Sequence, residues 1–274
     1  LSQGRRLGCQ AKIISDVIID VPAESQVHKQ VIRKRAEALD ITMNPSTKLF
    51  YVEVQEPNMH DPTGDLERLR IALKHEWQLP ELYMDISLLK DLQKTLRKGN
   101  WAITCAVHSG DQSVPPHITK IWPGFYEGSI YGLAVDIGST TIAAHLCELK
   151  TGEVITSSGL MNPQIRFGED LMSRVSYSMM NADGADEMTS AVRQGLNDLF
   201  IKICDDGGID VDLVLEAVLV CNPVMHHLLL GIDPFELGQA PFALASSNAQ
   251  AFKAKEIDIN PVSYTHLRAH ETTH

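Results

Sequence analysis

The sequence predicts an α/β fold, and three observations carry the prediction. First, 130–137, 141–148 and 154–159 are short, largely apolar segments, each with β-branched residues and each separated from the next by a tight turn. Second, two amphipathic helical periods, a continuous apolar strand and a short helix follow, giving the order β-β-β-α-β-α. Third, the turn between the first two strands reads Asp136-Ile137-Gly138-Ser139-Thr140-Thr141, with an acid, a glycine and three consecutive hydroxyls.

Each element has its own signal. Gly132-Leu133-Ala134-Val135 is apolar and runs into Asp136, so it reads as a buried strand ending at a polar tip. Thr151-Gly152 is the turn after the second strand. The stretch 169–180 places Leu171, Val175 and Met179 on one helical face. The stretch 186–205 does the same with Met188, Val192, Leu196, Leu199 and Ile203. Gly207-Gly208 ends that second helix. The run 213–221 is apolar almost throughout, as a parallel strand covered on both faces should be. A short helix is expected over 224–230. Three antiparallel strands, a helix, a parallel strand and a helix make the plan of a ribonuclease-H-like half-domain. It is the unit that is doubled in the actin, sugar-kinase and Hsp70 ATPases.

The turn after Asp136 suits a phosphate. A glycine lets backbone come close, and amides and hydroxyls of Gly138, Ser139, Thr140 and Thr141 can donate to anionic oxygens. A strand-end aspartate can hold hydrated Mg²⁺. The turn has no lysine and is not a GxxxxGK[ST] loop, so backbone donors and the cation must meet the phosphate charge. An ordinary Gly-Ser turn is the competing reading of the motif alone.

Two further clusters belong to the same end of the plan. Asn162, Gln164 and Arg166 lie between the third strand and the next helix. Two readings stand for Asn162 and Gln164: a loop over a nucleotide cleft, or structural polars. Glu169 and Asp170 complement a helix N-terminus, and Asp170 with Arg174 has the i,i+4 spacing of a helical ion pair. Cys221-Asn222-Pro223-Val224-Met225-His226-His227 leaves a buried strand and opens a helix, where open α/β sheets bind ligands. Asn222 can present an amide to a phosphate or to its attacking water. Adjacent histidines diverge by about 100° on a helix, so one buried and one exposed histidine is expected rather than a metal pair.

Upstream, the sequence reads differently. Residues 1–24 resemble the tail of a small β domain, with Ser15-Asp16 as a hairpin turn. Cys9 reads on local sequence as a small buried hydrophobe. Lys29, Arg33, Lys34 and Arg35 mark a solvated connector or a docking surface for an acidic partner. Over 38–128 a small α+β module is expected. It has a strand at 49–54, a turn-rich loop at 57–64, and helices set by Leu66, Leu69 and Leu73 and by Ile86, Leu89, Leu92 and Leu96. Lys98-Gly99-Asn100 stops the second helix. Trp101, Ile103, Cys105 and Val107 then form one face of a strand. His108, Asp111 and His117 are read as loop polars.

The 274 residues carry a formal charge of -11, with 44% hydrophobic and 22% charged residues. That excludes a basic nucleic-acid binder, and no apolar run is long enough to span a membrane. The five cysteines are odd in number and contain no CxxC, which suits a reducing cytoplasm. The chain begins with Leu1. It ends in a segment, 263–274, where His266, His270 and His274 recur every four residues. The segment shows no apolar face to dock it and is similar to the translated adaptor sequence that ends many metagenomic gene fragments. It is read as a cloning or sequencing scar, and the chain as a fragment cut at both ends.

The block Gly132–Thr141 looks like the opening of the ATPase domain in the reductive activators of corrinoid proteins. Asn162-Pro163-Gln164, Phe167-Gly168-Glu169-Asp170, the run from Asn222 to Gly231, and Pro241-Phe242 are similar to that family's later blocks, in the same order. Cys9 before a hairpin resembles the last cluster cysteine of a plant-type [2Fe–2S] ferredoxin. The resemblance implies a β-grasp ferredoxin remnant over 1–24, a linker over 25–128 and the middle domain, the first half of the ATPase, over 129–262. It implies ATP-driven return of Co(II) corrinoid to Co(I) on a corrinoid protein or corrinoid-dependent methyltransferase. Electrons would come from a low-potential donor through a [2Fe–2S] cluster. Asp136 would hold Mg²⁺ or orient water, Gly138 to Thr141 would take ATP phosphates, and Asn162, Gln164 and Asn222 would line the site. The other three cluster cysteines and the second ATPase half are missing. The chain alone is therefore expected to bind ATP weakly or not at all. A small-molecule kinase of the sugar or acetate type and a non-catalytic actin-like interaction protein are the alternatives.

Overall fold

A computed structural model describes residues 42–110, 115–259 and 266–271. All the described residues belong to one compact unit. Cys9, the hairpin expected near Ser15, the basic run 29–35 and Asp111 lie outside the described residues.

The first part is a four-stranded sheet in the order β1-β3-β4-β2. Its strands are β1 (Thr47–Glu53), β2 (Tyr83–Met84), β3 (Ala102–His108) and β4 (His117–Pro123), with helices α1 (Asp65–Trp77) and α2 (Ile86–Lys98). Leu69 and Leu73 of α1 and Leu92 and Leu96 of α2 pack on Ile103, Cys105 and Val107. Ile86, 74% exposed, and Leu89, 39% exposed, do not join them, so the buried stripe of α2 is narrower than its spacing suggested. Helix α2 ends at Gly99. Strand β3 is covered on both faces: Ala106 belongs to a separate cluster with Ile130, Leu149 and Leu215. That is why β3 does not alternate cleanly with solvent. His108 and His117 are not loop residues. They face each other across the β3–β4 ladder, and the His108 ring bonds Thr47 Oγ1 at 2.9 Å. The loop before α1 is held by Arg68, 4% exposed, which pairs with the Asp61 carboxylate at 2.7 Å and donates to the Thr63 carbonyl at 3.0 Å.

The second part is a six-stranded sheet in the order β7-β6-β5-β8-β10-β9. Strands β5 (Tyr131–Ile137), β6 (Thr141–Glu148) and β7 (Val154–Met161) form the antiparallel meander read from the sequence. Strand β8 (Val214–Cys221) lies parallel to β5, as its continuous apolar run predicted. Helices α3 (Leu171–Met180), α4 (Gly184–Gly207) and α5 (Pro223–Leu230) cover one face. Leu133, Val135 and Ile137 point into that core together with Ile142, Ala144 and Leu146, and Val192, Leu196 and Phe200 of α4 pack over them. Each such side chain contributes roughly 1.5–3 kcal/mol by leaving water. Gly208 closes α4 in the left-handed conformation. Alternation sends Ala134 and Asp136 to the opposite face, where Ala134 is exposed and its parallel neighbour Val218 is 40% exposed.

The tail also alternates. Residues His266–Glu271 form β10, parallel to β8 and antiparallel to β9 (Gln250–Lys253). A helix would find no apolar face there, but a strand has period two, and Leu267 and Ala269 enter the core. The segment therefore does present an apolar face.

Two checks follow from this packing. Leu267→Ala should cost about 2–5 kcal/mol in denaturant unfolding if β10 is seated as described; an unchanged midpoint would unseat it. At the end of β6, Glu148 Oε2 accepts from the Thr151 amide at 2.7 Å and hydroxyl at 2.8 Å. Burial pushes its carboxyl up, but the bonds from Thr151 and Ser129 outweigh that and hold it below the ordinary glutamate value. Its contribution is present above the unfolded-state pKa and is lost as pH falls through the depressed native value. Glu148→Gln should flatten the acid limb of a stability-against-pH curve.

Candidate functional site

Ile137 and Cys221 end two neighbouring parallel strands in the same register. The connections that leave them, 138–141 and the start of α5, therefore emerge side by side at the carboxyl ends of the sheet. Asp136 is half-buried on β5, beside Val220 of β8 and on the face away from the helices. Asn222 caps α5, with Oδ1 accepting from the Met225 amide at 3.0 Å. That bond uses the oxygen end of the side chain and not the Nδ2 end.

The connection from Gly138 to Thr141 has a definite polarity, because all four of its carbonyls are turned to protein donors. Thr141 O accepts from the Gly138 amide at 3.0 Å, and Thr140 O from the Asn162 amide at 2.8 Å. Gly138 O accepts from Asn162 Nδ2 at 2.8 Å, and Ser139 O accepts from Arg174 Nη2. The hydroxyls of Ser139, Thr140 and Thr141 make no hydrogen bond among the described residues. Gly138 is required by space: a Cβ there would lie 2.7 Å from the Thr141 carbonyl oxygen. The turn itself therefore requires a residue without a side chain here.

Asn162 and Gln164 are both 0% exposed. Asn162 Oδ1 caps the short 3-10 turn Pro163–Phe167 by accepting from the Gln164 amide at 2.9 Å. Gln164 Nε2 donates to the Met188 carbonyl at 2.9 Å. Their polar ends are bonded within the protein, beneath the 138–141 connection, and do not line a cleft.

The i,i+4 spacing predicts an ion pair between Asp170 and Arg174; the two groups do act on each other's charge, but from beyond ion-pair distance, and Arg174 does not lie on the surface. In the structure it is 0% exposed. Asp170 instead caps α3, accepting from the Ser173 amide at 2.7 Å. The Arg174 guanidinium runs inward and donates to Gly168 O at 3.0 Å, to Gln164 Oε1 at 3.4 Å and to Ser139 O, with Met225 Sδ at 3.2 Å. Gly168 permits this, since a Cβ there would meet the Arg174 amide at 2.8 Å. No carboxylate lies within ion-pair distance of Arg174 among the described residues. Burial pushes the guanidinium down from its ordinary value, the Asp170 carboxylate offsets this in part, and the group stays charged.

Both histidines after Asn222 are buried, at 1% for His226 and 3% for His227. The expected buried-and-exposed pair is thus corrected: the apolar helix α5 is enclosed on all sides. His227 Nδ1 bonds Pro223 O at 2.9 Å, and Nε2 accepts from the Ala245 amide at 3.0 Å. Among the described residues, no three or more His, Cys, Asp or Glu side chains are grouped as metal ligands would be, and no helix is long and apolar enough to cross a membrane.

The strand order 3-2-1-4-5, read from β7 to β10, and the loop at the end of β5 define a ribonuclease-H-like α/β lobe of the kind found in actin-like ATPases. The chain belongs to the RACo family: residues 131–269 match its middle region and residues 36–128 its linker region. It is 26% identical over 259 residues to the corrinoid activation enzyme RamQ of Eubacterium limosum, covering 93% of this chain and 42% of RamQ. It also resembles a solved reductive activator for corrinoid, iron-sulfur protein, with a TM-score of 0.76 and 30% identity over 85% of this chain and 36% of that one. The chain thus spans about two fifths of the length of these relatives.

Asn162→Ala removes the donor to Gly138 O and the acceptor for the Gln164 amide. Leaving these buried groups unmatched should cost about 1–3 kcal/mol each, measured by equilibrium denaturation against Ser157→Ala as a surface control.

Proposed function

We propose that this chain is the linker and first ATPase lobe of an ATP-dependent reductive activator. The activator would return Co(II) corrinoid to Co(I) on a corrinoid protein or corrinoid-dependent methyltransferase. The observation that carries the ATP reading is the polarity of the 138–141 connection. Its four carbonyls are bonded inward, and the hydroxyls of Ser139, Thr140 and Thr141 are left to a ligand. An anion suits such a surface, because the oxygens that would repel it are withdrawn.

The residue types at the ends of β5 and β8 suit Mg-ATP. Asp136 would hold Mg²⁺ or one of its waters. Ser139, Thr140 and Thr141 would donate to phosphate oxygens, and Asn222 Nδ2 to a phosphate or to the attacking water. Asn162 and Gln164 are positioning residues that fix the connection from below. ATP hydrolysis supplies free energy for an electron transfer that is uphill to Co(I). Cys9 would be one ligand of the [2Fe–2S] cluster that delivers the electron from a low-potential donor. The names of the two relatives support the corrinoid partner.

The test is ATP hydrolysis by the full-length gene product containing this sequence. Asp136→Ala should lower kcat by about 100-fold or more, while circular dichroism stays unchanged. Equal rates would remove Asp136 from this role. For the cluster, the coding sequence upstream of Leu1 should encode a CxxxxxCxxC-like run; its absence would remove Cys9 as a ligand.

A further inference from the structure

The two buried arginines among the described residues are set in opposite ways. Arg68 is matched by a carboxylate, Asp61, at 2.7 Å. Arg174 is more deeply buried, at 0% exposure, and is bonded only to two carbonyls, an amide oxygen and a thioether. Neutral acceptors satisfy its N–H groups, and the Asp170 carboxylate acts on its charge only from beyond ion-pair distance. A buried cation so partly compensated is costly, and a well-packed apolar side chain would be the cheaper occupant. The charge lies directly beneath Ser139, whose hydroxyl and neighbours face the proposed phosphate. The 138–141 connection contains no lysine.

We propose that Arg174 is the positive charge of this phosphate loop, and that the phosphate group of the bound nucleotide completes the counter-charge that Asp170 supplies only in part. This rests on the ATP reading above and adds the source of the loop's charge. Arg174 is a positioning residue: it acts through the Ser139 carbonyl and through its field, without touching the ligand. A purely structural fork would behave differently. Lysine cannot reproduce the forked bonds to Ser139, Gly168 and Gln164 but keeps the charge, whereas glutamine loses both.

The experiment compares wild type, Arg174→Lys and Arg174→Gln in the full-length gene product. It reads calorimetric binding of Mg-tripolyphosphate and Mg-ATP, and KM against kcat for hydrolysis. Arg174→Gln should weaken both ligands by about tenfold or more, with KM carrying the change. Arg174→Lys should bind within about threefold of wild type. Equal losses in the two variants, or no loss in Arg174→Gln, would overturn the proposal in favour of a structural fork. Failure of both variants to fold would do the same. If the wild type binds neither ligand, the ATP reading itself fails, which separates the two outcomes.

Discussion

The contact on which the site depends is the one between Arg174 and the carbonyl of Ser139. It ties α3 to the turn that leaves β5, and through Gly168 and Gln164 it ties the intervening 3-10 turn as well. Asn162 completes the frame with its bonds to Gly138 and Thr140. Between them, the side chains of Asn162 and Arg174 and the Asn162 amide hold three of the connection's four carbonyls. The loop gains its donor-rich outer surface because its acceptors are engaged from within. A loop with no lysine can thereby present a phosphate-compatible surface.

Much of this was legible in the sequence. The meander β5–β7, the helix α4 and the parallel strand β8 follow from period and from the apolar run at 214–221. Asn222 at the head of α5 followed from its place between an apolar run and the short helix expected over 224–230. What was not legible shares a cause. Arg174 has the spacing of a surface ion pair with Asp170, and one-dimensional spacing does not say which way a long side chain turns. The same holds for His226 and His227, whose burial comes from the segments packed around α5, and for His108 and His117, which became strand ends because the ladder reaches them. Leu267 and Ala269 were invisible to a helical reading and obvious to a strand reading. Asn162 and Gln164 were found as polar residues near the site, but only the packing shows that they support the connection from beneath.

The linker module and the lobe meet along a mixed seam. Lys120 donates to the Asp212 carbonyl at 2.7 Å, His108 faces Glu216 at 3.6 Å, and Lys253 pairs with Asp85. Such pairs near solvent contribute little individually. The apolar cluster of Ala106, Ile130, Leu149 and Leu215, with Trp122 and Tyr126 against it, packs in the same seam. Strand β5 begins directly beside this cluster at Ile130 and ends at the candidate site, so one rigid strand joins the seam to Asp136.

Met225 gives the Arg174 clamp a soft side. Two carbonyls hold one flank of the guanidinium, while the other rests at 3.2 Å on a thioether, a weak acceptor with a polarizable surface and little directional demand. Asn162 Nδ2 also rests on this sulfur, at 3.7 Å. A carboxylate in place of Met225 would fix the cation and quench its field. Sulfur makes the mount compliant instead: the charged group can shift by a fraction of an ångström at small cost, as a spring-loaded bearing does, while the backbone it supports stays in register.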